Sequence, residues 1–182
     1  FTEMLKQLDV CEVTQFAASI GVTKADGSPL DPDPALALGA KPVPPLSMAN
    51  VYATFASGGK YCKPIAIESI LDASGTSMAV PSADCTQALE EKVADQTATT
   101  LQATSEPGGT AKDAGIGRPI AGKTGTTDEA ENAWFVGFTP QLSTAVWIGD
   151  AKESSRSLVG RTIGGRYFER MYGSDLAVPM WR

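Results

Sequence analysis

The sequence predicts an α+β fold, an antiparallel sheet packed with helices. Two apolar, aromatic and β-branched runs, Ala133 to Phe138 (AWFVGF) and Ser143 to Gly149 (STAVWIG), are separated only by TPQL. That spacing suits adjacent antiparallel strands joined by a short turn. Ile120 to Thr127 has no helical period and directly precedes the pair, which adds a third strand beside them. Three upstream segments carry apolar residues at helical spacing or the start and stop residues of helices.

Asp9 can cap a short helix, with Glu12 three residues on, Val13, Phe16, Ala17 and Ile20 on one face, and Gly21 as its stop. From Thr23 to Pro45 proline, glycine and aspartate recur too often for a regular element. A second helix runs from Leu46 (LSMANVYATFAS), with Met48, Val51, Tyr52 and Phe55 on its packed face, and ends at Gly58-Gly59. After Pro64, IAIESIL has strand composition and DASG supplies its turn. Thr86 to Ala103 reads as a third helix with Leu89, Val93, Thr97, Thr100 and Leu101 inward. A Gly/Pro-rich link, SEPGGTAKDAGIGRP, then leads to the strands. No internal repeat is visible.

With 182 residues and 42% hydrophobic content, the chain can bury one core. Its boundaries at Phe1 and Arg182 read as those of a fragment of a longer protein. Fifteen basic residues against twenty-one acidic ones give a net charge of -6, which argues against a nucleic-acid partner. No run is apolar enough for a transmembrane segment, and no signal pattern is present. The chain has no histidine, so Ser-His-Asp and Cys-His mechanisms and the common zinc sites are outside its reach. Proton transfer must use lysine, carboxylate, tyrosine or hydroxyl, and the sequence implies no metal and no other cofactor. Cys62 and Cys85 sit in polar, turn-rich contexts (GGKYCKP and PSADCTQ), which favour a disulfide between them, with Cys11 bonded to neither, over buried thiols. Such a bond implies an oxidising, extracytoplasmic setting.

One stretch admits two chemical readings. Gly117 to Thr124, GRPIAGKT, fits the phosphate-loop pattern G-x-x-x-x-G-K-[ST], while Lys123 also opens KTGTT, a motif of serine acyl-transfer enzymes. A phosphate loop must follow a buried strand and start a helix, whose amides hold the phosphate. AKDAG before it lacks strand character, and Thr124, Gly125, Thr126 and Thr127 are poor helix formers, so the nucleotide reading fails. On a strand, by contrast, Thr124 and Thr126 point to one side and Lys123 and Gly125 to the other. Two hydroxyls so spaced can hold a carboxylate, an ammonium nearby supplies charge, and Gly125 lets another backbone approach. The triplet KTG alone is a weak signal, and its place beside two strands is what gives it weight.

AGKTGTT followed by AWFVGFTP and TAVWIGD resembles the transpeptidase domain of class A, bifunctional penicillin-binding proteins. LSMANVYATFASGGKYCKPIAIESI resembles the segment upstream of that motif, and IGGRYFERMYGSDLAVPMWR the approach to the last helix. The Cys-containing, Pro-rich details are closest to actinobacterial members. The resemblance covers the whole chain and implies the penicillin-binding protein/serine β-lactamase-like transpeptidase fold, with residues 1–182 its C-terminal portion.

The family's catalytic set is S-x-x-K, S-x-N and K-T-G, of which only the last is convincingly here. Ser57-Gly58-Gly59-Lys60 spells S-x-x-K at a helix stop, with two glycines where a firm helical turn is required, and Ser47 to Asn50 has one residue too many for S-x-N. The resemblance therefore implies a nucleophilic serine outside this chain, carried by the N-terminal part of the same domain, possibly as a separate polypeptide. It further implies a peptidoglycan D,D-transpeptidase acting on stem peptides ending in D-Ala-D-Ala, inhibited by β-lactams. The enzyme would work at the extracytoplasmic face of the plasma membrane, anchored by a segment absent here. Lys123 would supply positive potential and join the proton network. Thr124 and Thr126 hydroxyls would hold the terminal carboxylate beside Gly125 and Thr127, and the Thr126 amide would serve the oxyanion hole. A β-lactamase or D,D-carboxypeptidase of the same fold, or a non-catalytic binding module, are the alternatives.

Overall fold

The computed structural model describes residues 2–182. Helix α1 spans Thr2–Leu5 and α2 spans Val10–Ser19, where the Asp9 carboxylate accepts the Cys11 N–H at 2.7 Å and closes the helix start. Gly21, at φ +96°, ends α2 where a side chain would meet the Tyr61 ring. Ile20 is buried as expected, but Phe16 stays half exposed and Thr14 is buried instead. The helix meets the core through its C-terminal end, where Ile20 and Val22 pack, and Phe16 lies a turn too early to join them. Residues 23–44 hold a Thr23–Pro29 bridge and a 3₁₀ turn at Pro34–Leu38 capped by Asp33, and are otherwise irregular.

Helix α3, Pro45–Ala56, starts with proline at a position where no N–H is needed and stops at Gly58 and Gly59, both with positive φ. Val51 and Tyr52 are buried, with Met48 and Phe55 packed beside them. Four two-residue strands follow: β1 (Lys60–Tyr61), β2 (Ile70–Leu71), β3 (Ser77–Met78) and β4 (Thr86–Gln87), paired antiparallel as β1–β4 and β2–β3. Only the last two residues of the expected IAIESIL strand are strand-paired, and both are exposed, because among the described residues β3 is their one strand partner and no other element covers them. The DASG turn forms around Asp72, whose carboxylate accepts the Ser74 and Thr76 amides at 2.8 and 2.9 Å. A disulfide joins Cys62 to Cys85 at the base of this excursion, and Cys11 is free.

Helix α4 spans Glu91–Gln102 and begins five residues after the expected Thr86. Pairing of β4 with β1 and the donation of the Ala88 and Leu89 amides to Gly59 O hold the preceding residues extended. Its inner side carries Ala94, Ala98 and Leu101, with Leu89 buried ahead of it, while Val93 is nearly half exposed. Thr97 and Thr100 bond back to Val93 O and Gln96 O of their own helix. Alanine faces inward because α4 runs close over β5 (Ala121–Thr126), a strand of small residues at that end.

Strands β5, β6 (Ala133–Phe138) and β7 (Ser143–Ile148) form one antiparallel sheet in that order, with Lys123 opposite Val136, Gly125 opposite Trp134 and Phe135 opposite Val146. One face, with Ala121, Val136 and Phe138, packs on α3 and α4. The other, with Ile120 and Phe135, is covered by Ala111, Ala114 and a final helix, α5 (Ala177–Trp181), reached after the hairpin of β8 (Arg161–Ile163) and β9 (Arg166–Phe168). That hairpin was not expected, although Gly164-Gly165 at its tip is a strong two-residue turn signal. The sheet is thus a layer between helices, with β5 at its edge.

Candidate functional site

Strand β5 pairs only with β6, so among the described residues its other edge carries no strand. Thr127 N–H donates to Asn132 O at 3.1 Å, just past the register pair Thr126 and Ala133. Antiparallel alternation then turns the backbone groups of Gly125 and Lys123 toward β6, and those of Gly122, Thr124 and Thr126 toward the open edge. Two contacts agree with that phase: the Thr104 hydroxyl donates to Gly122 O at 2.7 Å and the Lys123 ammonium to Thr124 O at 2.8 Å. The Thr126 amide therefore faces outward, where it can meet a bound carbonyl.

Side chains follow the same alternation. Thr124 and Thr126 share the α5 side of the sheet with Phe135 and Ala133, whereas Lys123 and Gly125 lie opposite Val136 and Trp134 on the α3/α4 side. Lys123 is exposed. Thr124 Oγ1 donates to Thr110 Oγ1 at 2.8 Å, and Thr126 Oγ1 accepts the Gly173 N–H at 3.1 Å. Gly173 has no room for a side chain, since a Cβ would lie 2.2 Å from Trp134 O. At Gly125 a Cβ would press on Trp134 Cβ at 3.3 Å, so glycine keeps this wall flat.

Thr127 differs from its neighbours. Its hydroxyl donates to Glu131 Oε2 at 2.6 Å and accepts the Asn132 amide at 3.1 Å, which closes the turn into β6, and that bond holds the Glu131 carboxyl below the usual carboxylate range. Asn132 in turn accepts the Trp147 indole N–H at 2.8 Å. The five motif residues are contiguous, but three hydroxyls have three different duties.

Ser57 and Lys60 form a helix stop: Ser57 Oγ bonds Thr54 O and Lys60 O at 3.1 and 2.8 Å. Asn50 donates its side-chain amide to Cys62 O at 3.0 Å and ties α3 to the chain beyond it. Sequence reasoning did not find Thr104, Thr110 or Gly173. No local pattern marks them, because each acts on β5 across a separation in the chain of 18, 14 or 47 residues.

Residues 20–163 match the family model for the penicillin binding protein transpeptidase domain. The chain belongs to that family. It is similar to penicillin-binding protein 1A of Aquifex aeolicus, 36% identical over 153 residues that make up 84% of this chain and 19% of the relative. It is also similar to penicillin-binding protein 1A of Mycolicibacterium smegmatis, 34% identical over 164 residues, 86% of this chain and 20% of the relative. The chain thus spans about a fifth of the length of these curated relatives. Among solved structures, PonA1 from Mycobacterium tuberculosis in complex with penicillin V aligns at TM-score 0.77 and 28% identity, covering 99% of this chain and 50% of that one. The fold is that of the penicillin-binding transpeptidase domains, as the sequence predicts. Among the described residues, no helix is long and apolar enough to cross a membrane.

Proposed function

We propose that residues 1–182 are the C-terminal portion of a peptidoglycan D,D-transpeptidase domain and supply one wall of its acylation site. The observation that carries this reading is the open edge of β5, with the Thr126 amide aimed outward and the Thr124 and Thr126 hydroxyls on one face. A stem peptide ending in D-Ala-D-Ala lies along that edge as an added strand. Its terminal carboxylate is held by the two hydroxyls, and the Thr126 N–H donates to the carbonyl oxygen of the scissile amide. A serine carried on polypeptide outside these residues attacks that carbonyl, D-alanine leaves with the serine's proton on its amine, and an amine of a neighbouring stem resolves the acyl-enzyme. Lys123 swings from Thr124 O to raise the local positive potential and join the proton network around the S-x-N serine. β-Lactams enter by the same first step, because their ring carbonyl and carboxylate match the two ends of the dipeptide.

The remaining partner is the N-terminal part of the same domain, which brings S-x-x-K and S-x-N to β5. Work at the extracytoplasmic face of the plasma membrane is supported by the Cys62–Cys85 disulfide, a bond suited to oxidising surroundings. Incubation of the complete protein with a fluorescent penicillin, followed by denaturing electrophoresis, tests the reading. A serine adduct that persists is the expected result. Rapid loss of the label would make the protein a β-lactamase, and no label would leave a binding module.

A further inference from the structure

The two threonine hydroxyls of β5 are held from behind by partners of opposite kind. Thr126 Oγ1 accepts from a backbone N–H, that of Gly173, which can only donate. Its own proton is therefore always free to point at a ligand. Thr124 Oγ1 instead gives its one proton to Thr110 Oγ1, so in this structure it offers only lone pairs. A carboxylate arriving at this face meets one hydroxyl set to donate and another set to accept.

Resting on the transpeptidase reading above, we infer that Thr110 is a positioning residue whose hydroxyl reverses its bond with Thr124 when a carboxylate binds. Thr124 turns its proton to the anion, and Thr110 then donates its own proton to the vacated lone pair of Thr124 Oγ1. One proton remains on each hydroxyl throughout, and the number of hydrogen bonds between the two is conserved. The resulting chain, Thr110 to Thr124 to carboxylate, is polarised in one direction, and each link strengthens the next.

Thr110 is placed for this by its neighbours. Ala111 N–H donates to Thr104 O at 2.8 Å, Gly109 N–H to Glu106 O at 2.8 Å, and the Thr104 hydroxyl anchors the same turn to β5 at Gly122 O. Gly109 passes so near that a Cβ would lie 2.1 Å from Thr104 O. The turn is fixed on both flanks while the Thr110 side chain is exposed, which leaves its hydroxyl free to rotate. A threonine here thus favours ligands with a negative charge at the end of the dipeptide over neutral ones.

The test compares wild type, Thr110→Val and Thr110→Ser of the complete penicillin-binding domain, acylated by penicillin V and by its methyl ester, which lacks the charge. Because the Thr110–Thr124 bond exists before and after binding, Thr110→Val loses only the polarisation of the chain, which slows acylation by the acid about two- to fourfold, leaves the ester rate unchanged, and is restored by Thr110→Ser. Should the valine variant melt lower, Thr110→Ala is read by the same acid-to-ester ratio, which a loss of folded protein does not move. Equal slowing of acid and ester, or no slowing of either, would overturn the relay. A wild-type protein that penicillin V does not acylate would instead remove the transpeptidase reading, and the relay with it.

Discussion

The β5–β7 sheet and the excursion between Cys62 and Cys85 are held by different physics. In the sheet, Phe135, Val136, Phe138 and Ala121 are buried on two faces between α3, α4 and α5, and the Phe135 ring meets Trp181 edge-on at 5.2 Å. In the excursion, Ile65, Ile67, Ile70, Leu71 and Met78 are all exposed, and the chain is kept in place by one disulfide, an Asp72-centred turn and the Lys63–Asp84 ion pair at 2.7 Å. Burial fixes the strand that carries the motif, while covalent and turn chemistry fix a segment that touches little. Damage to the first should therefore reach the site, and damage to the second should stay local.

The largest effect belongs to Phe135→Ala. Truncation of a ring buried to 1% exposure leaves a cavity under β5–β7 and costs about 3 to 5 kcal/mol. Urea unfolding should show that loss together with loss of penicillin acylation, and a near-wild-type midpoint would break the comparison. Next is the double change Cys62→Ser and Cys85→Ser, which opens a loop between residues 23 apart and costs about 3 kcal/mol in the chain-entropy view. Acylation per folded molecule should not change, so a fall in that rate would show the excursion to be coupled to the site. Thiol titration of the native chain in denaturant should count Cys11 alone, and three thiols would contradict the bond.

A third prediction probes the core by pH. Burial pushes the Tyr52 hydroxyl up to about 12. Because the folded value lies above the unfolded one, the stability tied to the neutral phenol is complete below about pH 10 and is lost as pH rises toward 12, to the extent of about 2 to 3 kcal/mol. Alkaline melting should show the decline in wild type and a flatter profile in Tyr52→Phe. The smallest effect is at Lys63–Asp84. Lys63 holds the exposed Asp84 carboxyl below its ordinary value, so any gain is present above the unfolded value and fades as acid lowers pH through the folded one. Screening makes it minor, and Asp84→Asn should leave the melting temperature of the sheet unchanged.

The same contrast explains what the sequence could and could not convey. Strands β5 to β7 and their antiparallel order were legible because aromatic and β-branched runs a few residues apart have few other ways to bury themselves. The helix start at Glu91 was not, because Thr86 and Gln87 owe their extended form to β1, and Ala88 and Leu89 theirs to Gly59 O, more than two dozen residues away in the chain. Val93 was expected inward on one side of the helix with Leu89, Thr97, Thr100 and Leu101, yet the close approach of α4 to β5 selects Ala94 and Ala98. Of the site, the KTGTT strand and its alternation were readable in the residues. The hydroxyl and amide that orient it, on Thr110 and Gly173, arrive through tertiary folding and leave no local trace.

The claim on which the functional reading turns is that β5 presents the carboxylate-binding and oxyanion wall. Stopped-flow acylation of the complete protein by penicillin, with melting temperature recorded alongside, measures it most directly. Thr124→Val removes a donor to a charged group and should slow acylation about ten- to a hundredfold with the fold intact. Lys123→Ala should be slower still, since it removes charge as well as a donor. Thr126→Pro, which deletes the outward amide, should nearly abolish the reaction. Wild-type acylation rates in Lys123→Ala and Thr124→Val would contradict the assignment of β5 as that wall.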